Sequence, residues 1–259
     1  MAKNLFCTLL LLLVSFQNYC LAYDCPQFYE PIRVGTVQNS NADEISGIVA
    51  SRKNTDVFWV HNDHSGSTTA IIYAMTSAGK NLGTFRLNGA VKIDYEDIAI
   101  GPGPVPGTDY IYVGDIEDND ADYNSITVYR VPEPFVDANN YDTTVYLTDV
   151  EAINLEYPEG PRDAETLLVD PNNADIYILT KRLSPTQVYK VAYPQSTTQT
   201  TTLSLMTTIS PTWLTGGDIS PNGKYIIITD YFQNRLWPIL PGQQPWQAFE
   251  NQLCPIPSI

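Results

Sequence analysis

Polar residues, most of them acids, recur two apart at matching places in this chain: Glu44 with Ser46, Asp94 with Glu96, and Asp163 with Glu165. A spacing of two sets both members of a pair on one side of a β-strand. Further acids close apolar runs, as Asp63, Asp115 and Asp230 do, and Asp97, Glu117, Asp118 and Asp218 stand close by in sequence. Carboxylates that converge repel one another. They share a site only when protonated, paired with a base or bound to a hard cation. With Asn62 and Asn119 adding amide oxygens, the surroundings suit calcium, which takes six to eight oxygen ligands without strict geometry. The candidate ligands are Glu44, Asp63, Asp94, Glu96, Asp97, Asp115, Glu165 and Asp230, with Lys181 placed to neutralise part of the ring. If a cation sits at their focus, Glu96 and Glu165 should hold it, and Asp63, Asp115 and Asp230 should stand farther off. The competing role for these acids is to cap turns and accept from strand-end amides. The densest run, Asp115 to Asp120, lacks the glycine and distal glutamate of an EF-hand loop and fits a solvated loop.

Other chemistries find less support. His61 and His64 flank Asn62-Asp63, a partial zinc set in an expected turn, where a structural zinc site takes four ligands. There is no Gly-x-Ser-x-Gly elbow and no recognisable Ser-His-Asp arrangement. Gly101-Pro102-Gly103-Pro104 precedes no helix and has no lysine beside it, so it reads as a loop and not a phosphate cradle. The residues describe a binding protein in preference to an enzyme.

The elements that would position these acids form an internal repeat. A first apolar word occurs at Ser46–Ser51, Glu96–Gly101, Glu165–Asp170 and Thr215–Ser220, at spacings of 50, 69 and 50 residues. A second follows each copy after a turn: Phe58–Asp63, Tyr110–Asp115, Ile176–Lys181 and Tyr225–Asp230. A third centres on Tyr73, Tyr129, Tyr189 and Trp237. The runs are short, rich in β-branched and aromatic residues, and bounded by turn formers such as Asn222-Gly223. Further strand-like runs between one copy and the next, at Leu82–Leu87, Thr144–Leu155 and Leu203–Ile209, give a unit of four strands. That is the signature of β-propeller blades, so the expected fold is all-β, a propeller of at least four four-stranded repeats. Pro31–Val37, ahead of the first copy, is the candidate for a strand closing the ring. In each hairpin the first strand's start and the second strand's end lie at one edge, which would gather the acids on one rim of the channel.

Residues 1 to 22 have the layout of a secretory signal: Lys3, an apolar core from Leu5 to Phe16, and Ala22 before the cleavage point. The remainder, Tyr23 to Ile259, is expected to be one domain, secreted, with no membrane span. The net charge of −15 becomes −16 once Lys3 leaves, which argues against nucleic-acid partners and favours cations, basic extracellular proteins or a mineral surface. Only Cys25 and Cys254 remain after processing, one at each end of the array, and in an oxidising compartment they are expected to pair.

Ile45 to Arg52 followed by His61-Asn62-Asp63, with Asp94 to Ala99, Tyr112 to Ile116, Val128 to Pro134, Gly160 to Glu165 and Gly216 to Pro221, resembles a widespread family of secreted, mostly bacterial propeller-like proteins of unassigned function. Members of that family continue into a further repeat past the segment matching Leu240 to Pro257, so the resemblance implies four or five blades. It is looser towards phytase-like and lactonase-like propellers, in which acids at the channel mouth hold calcium. That kinship supplies the alternative function, a calcium-dependent hydrolase of phosphate esters or lactones. Against it, Lys181 and Arg182 are the only basic pair expected at the rim.

Overall fold

Short apolar runs of five to eight residues, interrupted by Asn-, Asp- and Gly-rich turns, favour β-strands joined by tight turns. The computed structural model describes residues 25–63, 68–139, 141 and 143–257. The proposed signal segment and His64 lie outside the described residues.

Four sheets form the blades of a propeller. Blade one holds β1 (Ile45–Ala50), β2 (Phe58–Asn62), β3 (Thr69–Met75) and β4 (Asn81–Val91); blade two holds β5 (Tyr95–Pro102), β6 (Asp109–Asp115) and β7 (Ile126–Pro132). Next along the chain come β8 (Thr144–Leu147) and β9 (Glu151–Glu156). The expected single run Thr144–Leu155 is therefore two strands, and they belong to different sheets: β9 completes blade two, while β8 runs parallel to β4 at the edge of blade one. Blade three is β10 (Ala164–Val169), β11 (Ile176–Thr180), β12 (Thr186–Val191) and, after the two-residue β13 (Thr201–Thr202), β14 (Ser204–Ile209). β13 reaches back to pair in parallel with β9. Each of these added strands covers an outer edge that would otherwise offer unpaired amides. The excursion that carries β8 also explains why the second repeat is the long one.

Blade four has three strands, β15 (Leu214–Ile219), β16 (Tyr225–Asp230) and β17 (Asn234–Pro238), with Cys254 bridging to Leu236 in place of a fourth. Pro31–Val37 is not a strand. It is irregular and exposed, held beside the β3–β4 turn where the Gln38 amide donates to the Gly79 carbonyl at 2.8 Å. The two ends of the array are joined instead by the Cys25–Cys254 disulfide, whose Cα atoms are 5.5 Å apart.

Side chains alternate between the two faces of each blade, so successive blades can pack face to face. Trp59, Ile72 and Phe85 meet Ile98, Ile111 and Val113 between blades one and two. Tyr112, Val128 and Ile153 meet Leu167, Ile178 and Tyr189 between blades two and three. Leu168, Tyr177 and Leu179 meet Ile226, Ile228 and Trp237 between blades three and four. The remaining face of blade one carries a smaller group, Val60 and Tyr73 with Ala42. On the side away from the acids, buried Glu133 accepts from Ser51 Oγ, the Arg52 and Lys53 amides and Trp59 Nε1, tying blade two to the first hairpin of blade one.

Candidate functional site

The innermost strands β1, β5, β10 and β15 all carry a register shift at the same point, near their start. Tyr95 pairs with Asp115 and Asp97 with Gly114, which leaves Glu96 as the extra residue of a bulge. Glu165 and Thr215 are the extra residues in β10 and β15, and the shift in β1 spans Ser46 and Gly47. A bulge re-aims the side chain it carries. The repeated polar position thus points at the channel because of an irregularity, which perfect alternation would not have produced. Ser46 Oγ donates to the Glu96 carbonyl at 3.0 Å, stitching the first two inner strands together.

Strand pairing also resets the alignment of the second words. Asn62, Asp115, Thr180 and Asp230 are the equivalent strand-end residues, each opposite the start of its inner strand. Asp63, Ile116, Lys181 and Tyr231 therefore correspond, one residue further on. This separates Asp63 from Asp115 and Asp230, which the sequence had grouped with it.

Four carboxylates meet at the mouth: Asp63, Asp94, Glu96 and Glu117 each bring an oxygen within 4.8 Å of the others. Of the eight candidate ligands, Asp63, Asp94 and Glu96 belong to this group. Glu117 joins it from the acidic loop after β6, where it reads as one acid among many. Glu96 is 2 % exposed, and its Oε1 has no hydrogen-bond partner. Burial, then the charges of Glu117, Asp63 and Asp94, push its carboxyl up to about 10. Burial and the nearby Glu117 carboxyl raise Asp94 to about 8.

The other candidates have local tasks. Buried Asp97 accepts from the amides of Ile98 and Leu167, each at 2.9 Å, and of Gly217 at 3.2 Å, so it pins three inner strands across the axis. Burial holds its carboxyl well above the usual range even against these donors. Asp115 accepts from the Ile93 and Asp94 amides and fixes the turn that presents Asp94; burial lifts it to about 6. Asp230 caps its turn through the Phe232 and Gln233 amides and pairs with Arg235. Glu165 is ion-paired with buried Lys181, whose Nζ also lies 3.9 Å from Glu117. Glu44 is exposed, and its carbonyl accepts the Asp63 amide at 2.8 Å.

Two basic groups lie beneath the cluster. Lys92 is 4 % exposed and donates from Nζ to the carbonyls of Asn62, at 3.0 Å, and Asp63. His61 is fully buried against Gly47, and burial pushes its imidazole down to about 4. Its ring stands edge-on to Tyr95, with Nδ1 3.1 Å from the Asn62 carbonyl, so its neutral form fits a packing role.

A carboxylate oxygen without a donor in a group of four acids is the feature a hard cation satisfies. Asp63, Asp94, Glu96 and Glu117 would supply an all-oxygen donor set of the kind calcium takes. The fold and this rim define the class of protein: a four-bladed β-propeller with an acidic channel mouth. No helix among the described residues is long and apolar enough to cross a membrane.

No family model and no curated protein matches the chain. Solved structures do. An auxiliary nutrient binding protein from Bacteroides thetaiotaomicron is 10 % identical with a TM-score of 0.45, the match covering 85 % of this chain and 46 % of that one. The Dos1 propeller is 14 % identical with a TM-score of 0.35, over 75 % of this chain and 44 % of that one. The chain spans somewhat under half the length of these neighbours, and the likeness concerns the fold.

Proposed function

We propose that this chain is a secreted, non-enzymatic β-propeller that binds a hard cation, calcium, at its channel mouth and works outside the cell as a binding or matrix protein. Residues 1 to 22 would direct it there and be removed. The reading rests on one observation above the others: the buried Glu96 carboxyl, which has an oxygen with no donor, belongs to a group of four carboxylates whose facing oxygens lie within 4.8 Å of one another. Asp63, Asp94, Glu96 and Glu117 would hold the ion, and Asp115 and Lys92 would set the backbone that presents Asp94 and Asp63. The bound ion would supply the positive charge that lets these acids ionise together.

Calorimetric titration of chelator-stripped protein with calcium tests this. Heat with a one-to-one stoichiometry and a rise in Tm are expected, both absent in Glu96→Gln. No heat and no rise in wild type would sink the cation reading. Turnover of phosphoester or lactone substrates by the calcium-loaded protein would overturn its non-enzymatic part.

A further inference from the structure

Propeller blades bury equivalent positions against equivalent positions, so an exposed member of such a set marks a place where the ring treats one boundary differently. Ile48, Ile98 and Leu167 occupy the same site on their inner strands, opposite Val60, Val113 and Ile178. Ile98 and Leu167 are fully buried against the preceding blade, whereas Ile48 is 53 % exposed. From the other side, Ile227 corresponds to Trp59, Tyr112 and Tyr177, all at most 1 % exposed, yet it is only half-buried. Between blades four and one the channel mouth accordingly opens into a cleft, the whole cavity being about 560 Å³, walled by Ile45, Ile48, Ile227 and Tyr231, with Asp63, Glu96, Glu117 and the Glu165–Lys181 pair at its floor.

This cleft is of the size that takes a small organic group, far larger than one ion needs. Its floor gathers Asp63, Glu96, Glu117 and Glu165. The nearby bases are already engaged, Lys181 by Glu165 and Glu117 and Lys92 by the Asn62 and Asp63 carbonyls, so an entering cation would be met by carboxyls that ionise towards it. Glu96 Oε1 waits there for a donor. Its walls are aliphatic, with Tyr231 61 % exposed at the lip. Long basic side chains have this combination of needs, an apolar stem and a charged head.

We infer that the cleft between blades one and four is a docking site for a lysine- or arginine-bearing segment of a basic partner protein. The cationic head would enter the floor against Glu96 and its neighbours, and the stem and flanking aliphatic residues would lie along Ile48 and Ile227. Charge complementarity selects this occupant, because the chain as a whole carries −15 and the cleft concentrates that sign. The inference rests on the reading of the rim as a cation site, and it makes calcium and the basic side chain competitors for the same oxygens.

The probe is a labelled, capped pentapeptide with one lysine between valine and leucine, followed by fluorescence anisotropy in chelator. Wild type should bind it, and acetylation of the lysine should weaken binding by about tenfold or more. Added calcium should displace it. Ile48→Ser, at an exposed position where Tm should hold, should weaken the peptide by a similar factor and leave the calcium titration unchanged. Equal binding of the lysine and acetyl-lysine peptides, or full affinity in Ile48→Ser, would overturn the docking site. Calcium heat without peptide binding removes this inference alone. Peptide binding without calcium heat removes calcium alone and leaves the cleft as a site for organic cations.

Discussion

Glu96 offers the most direct test of the electrostatics at the channel mouth, through the replacement Glu96→Gln. The carboxyl is raised from an ordinary 4.5 to about 10 by burial and by its acidic neighbours. A group raised in the folded state stabilises the fold fully below its unfolded pKa, and that stability drains away as pH climbs towards the folded value. Each unit is worth about 1.4 kcal/mol, so the rise from pH 5 to pH 8 removes at most about 4 kcal/mol. Asp94 shares the same protons, which makes about 2 kcal/mol a fairer figure for Glu96 alone. For a domain of this size that is a fall in Tm of about 4–8 °C. Glutamine keeps the shape and does not titrate, so the variant should lose that much less over the same interval in chelator.

His61 works in the opposite direction. Its pKa is lowered from 6.5 to about 4, so its contribution is present above pH 6.5 and is lost as pH falls towards 4. It acts alike in both proteins and cancels from the difference. Thermal melts in chelator from pH 5 to 8, wild type beside variant, read the effect. Parallel profiles would refute the account of the cluster as a set of carboxyls forced together. With calcium added, the wild type should recover its stability at pH 8 and the variant should not.

Two further outcomes are expected. Asp97→Ala strips the acceptor from three inner-strand amides. The cost should be about 3 kcal/mol or more by denaturant unfolding, and a loss below about 1 kcal/mol would show that Asp97 does not pin the strands. Reducing Cys25–Cys254, which closes a separation of 229 residues, should lower stability by up to about 5 kcal/mol on the loop-entropy model. An unchanged denaturation midpoint after complete reduction would contradict that closing role.

The blade architecture could be read from the chain because a propeller repeats its words, and each word, short and apolar with turns at its ends, has only a strand to become. The terminal cysteines were legible for a related reason: few partners were available to either. Asp94 and Glu96 were also visible as candidates, since acids spaced two apart near a strand start share a side, and Asp63 because it closes an apolar run at the same blade edge. Glu117 was not. It sits in a dense acidic loop where nothing local distinguishes a convergent carboxylate from a solvated one.

What the tertiary structure alone decided comes from pairing, which no single strand encodes. The bulges in the four inner strands turn Glu96, Glu165 and Thr215 towards the channel, and a pattern of period two carries no mark of where an extra residue will fall. Pairing moved the strand ends by one residue, placing Asp63 with Lys181 and Tyr231 and leaving Asp115 and Asp230 to cap their turns. It split Thr144–Leu155 between two sheets, because an outer strand is chosen by the edge that needs covering and not by its own sequence. Ile48 gives the same lesson about burial. Its word matches those of Ile98 and Leu167, and only the meeting of blades four and one leaves it exposed.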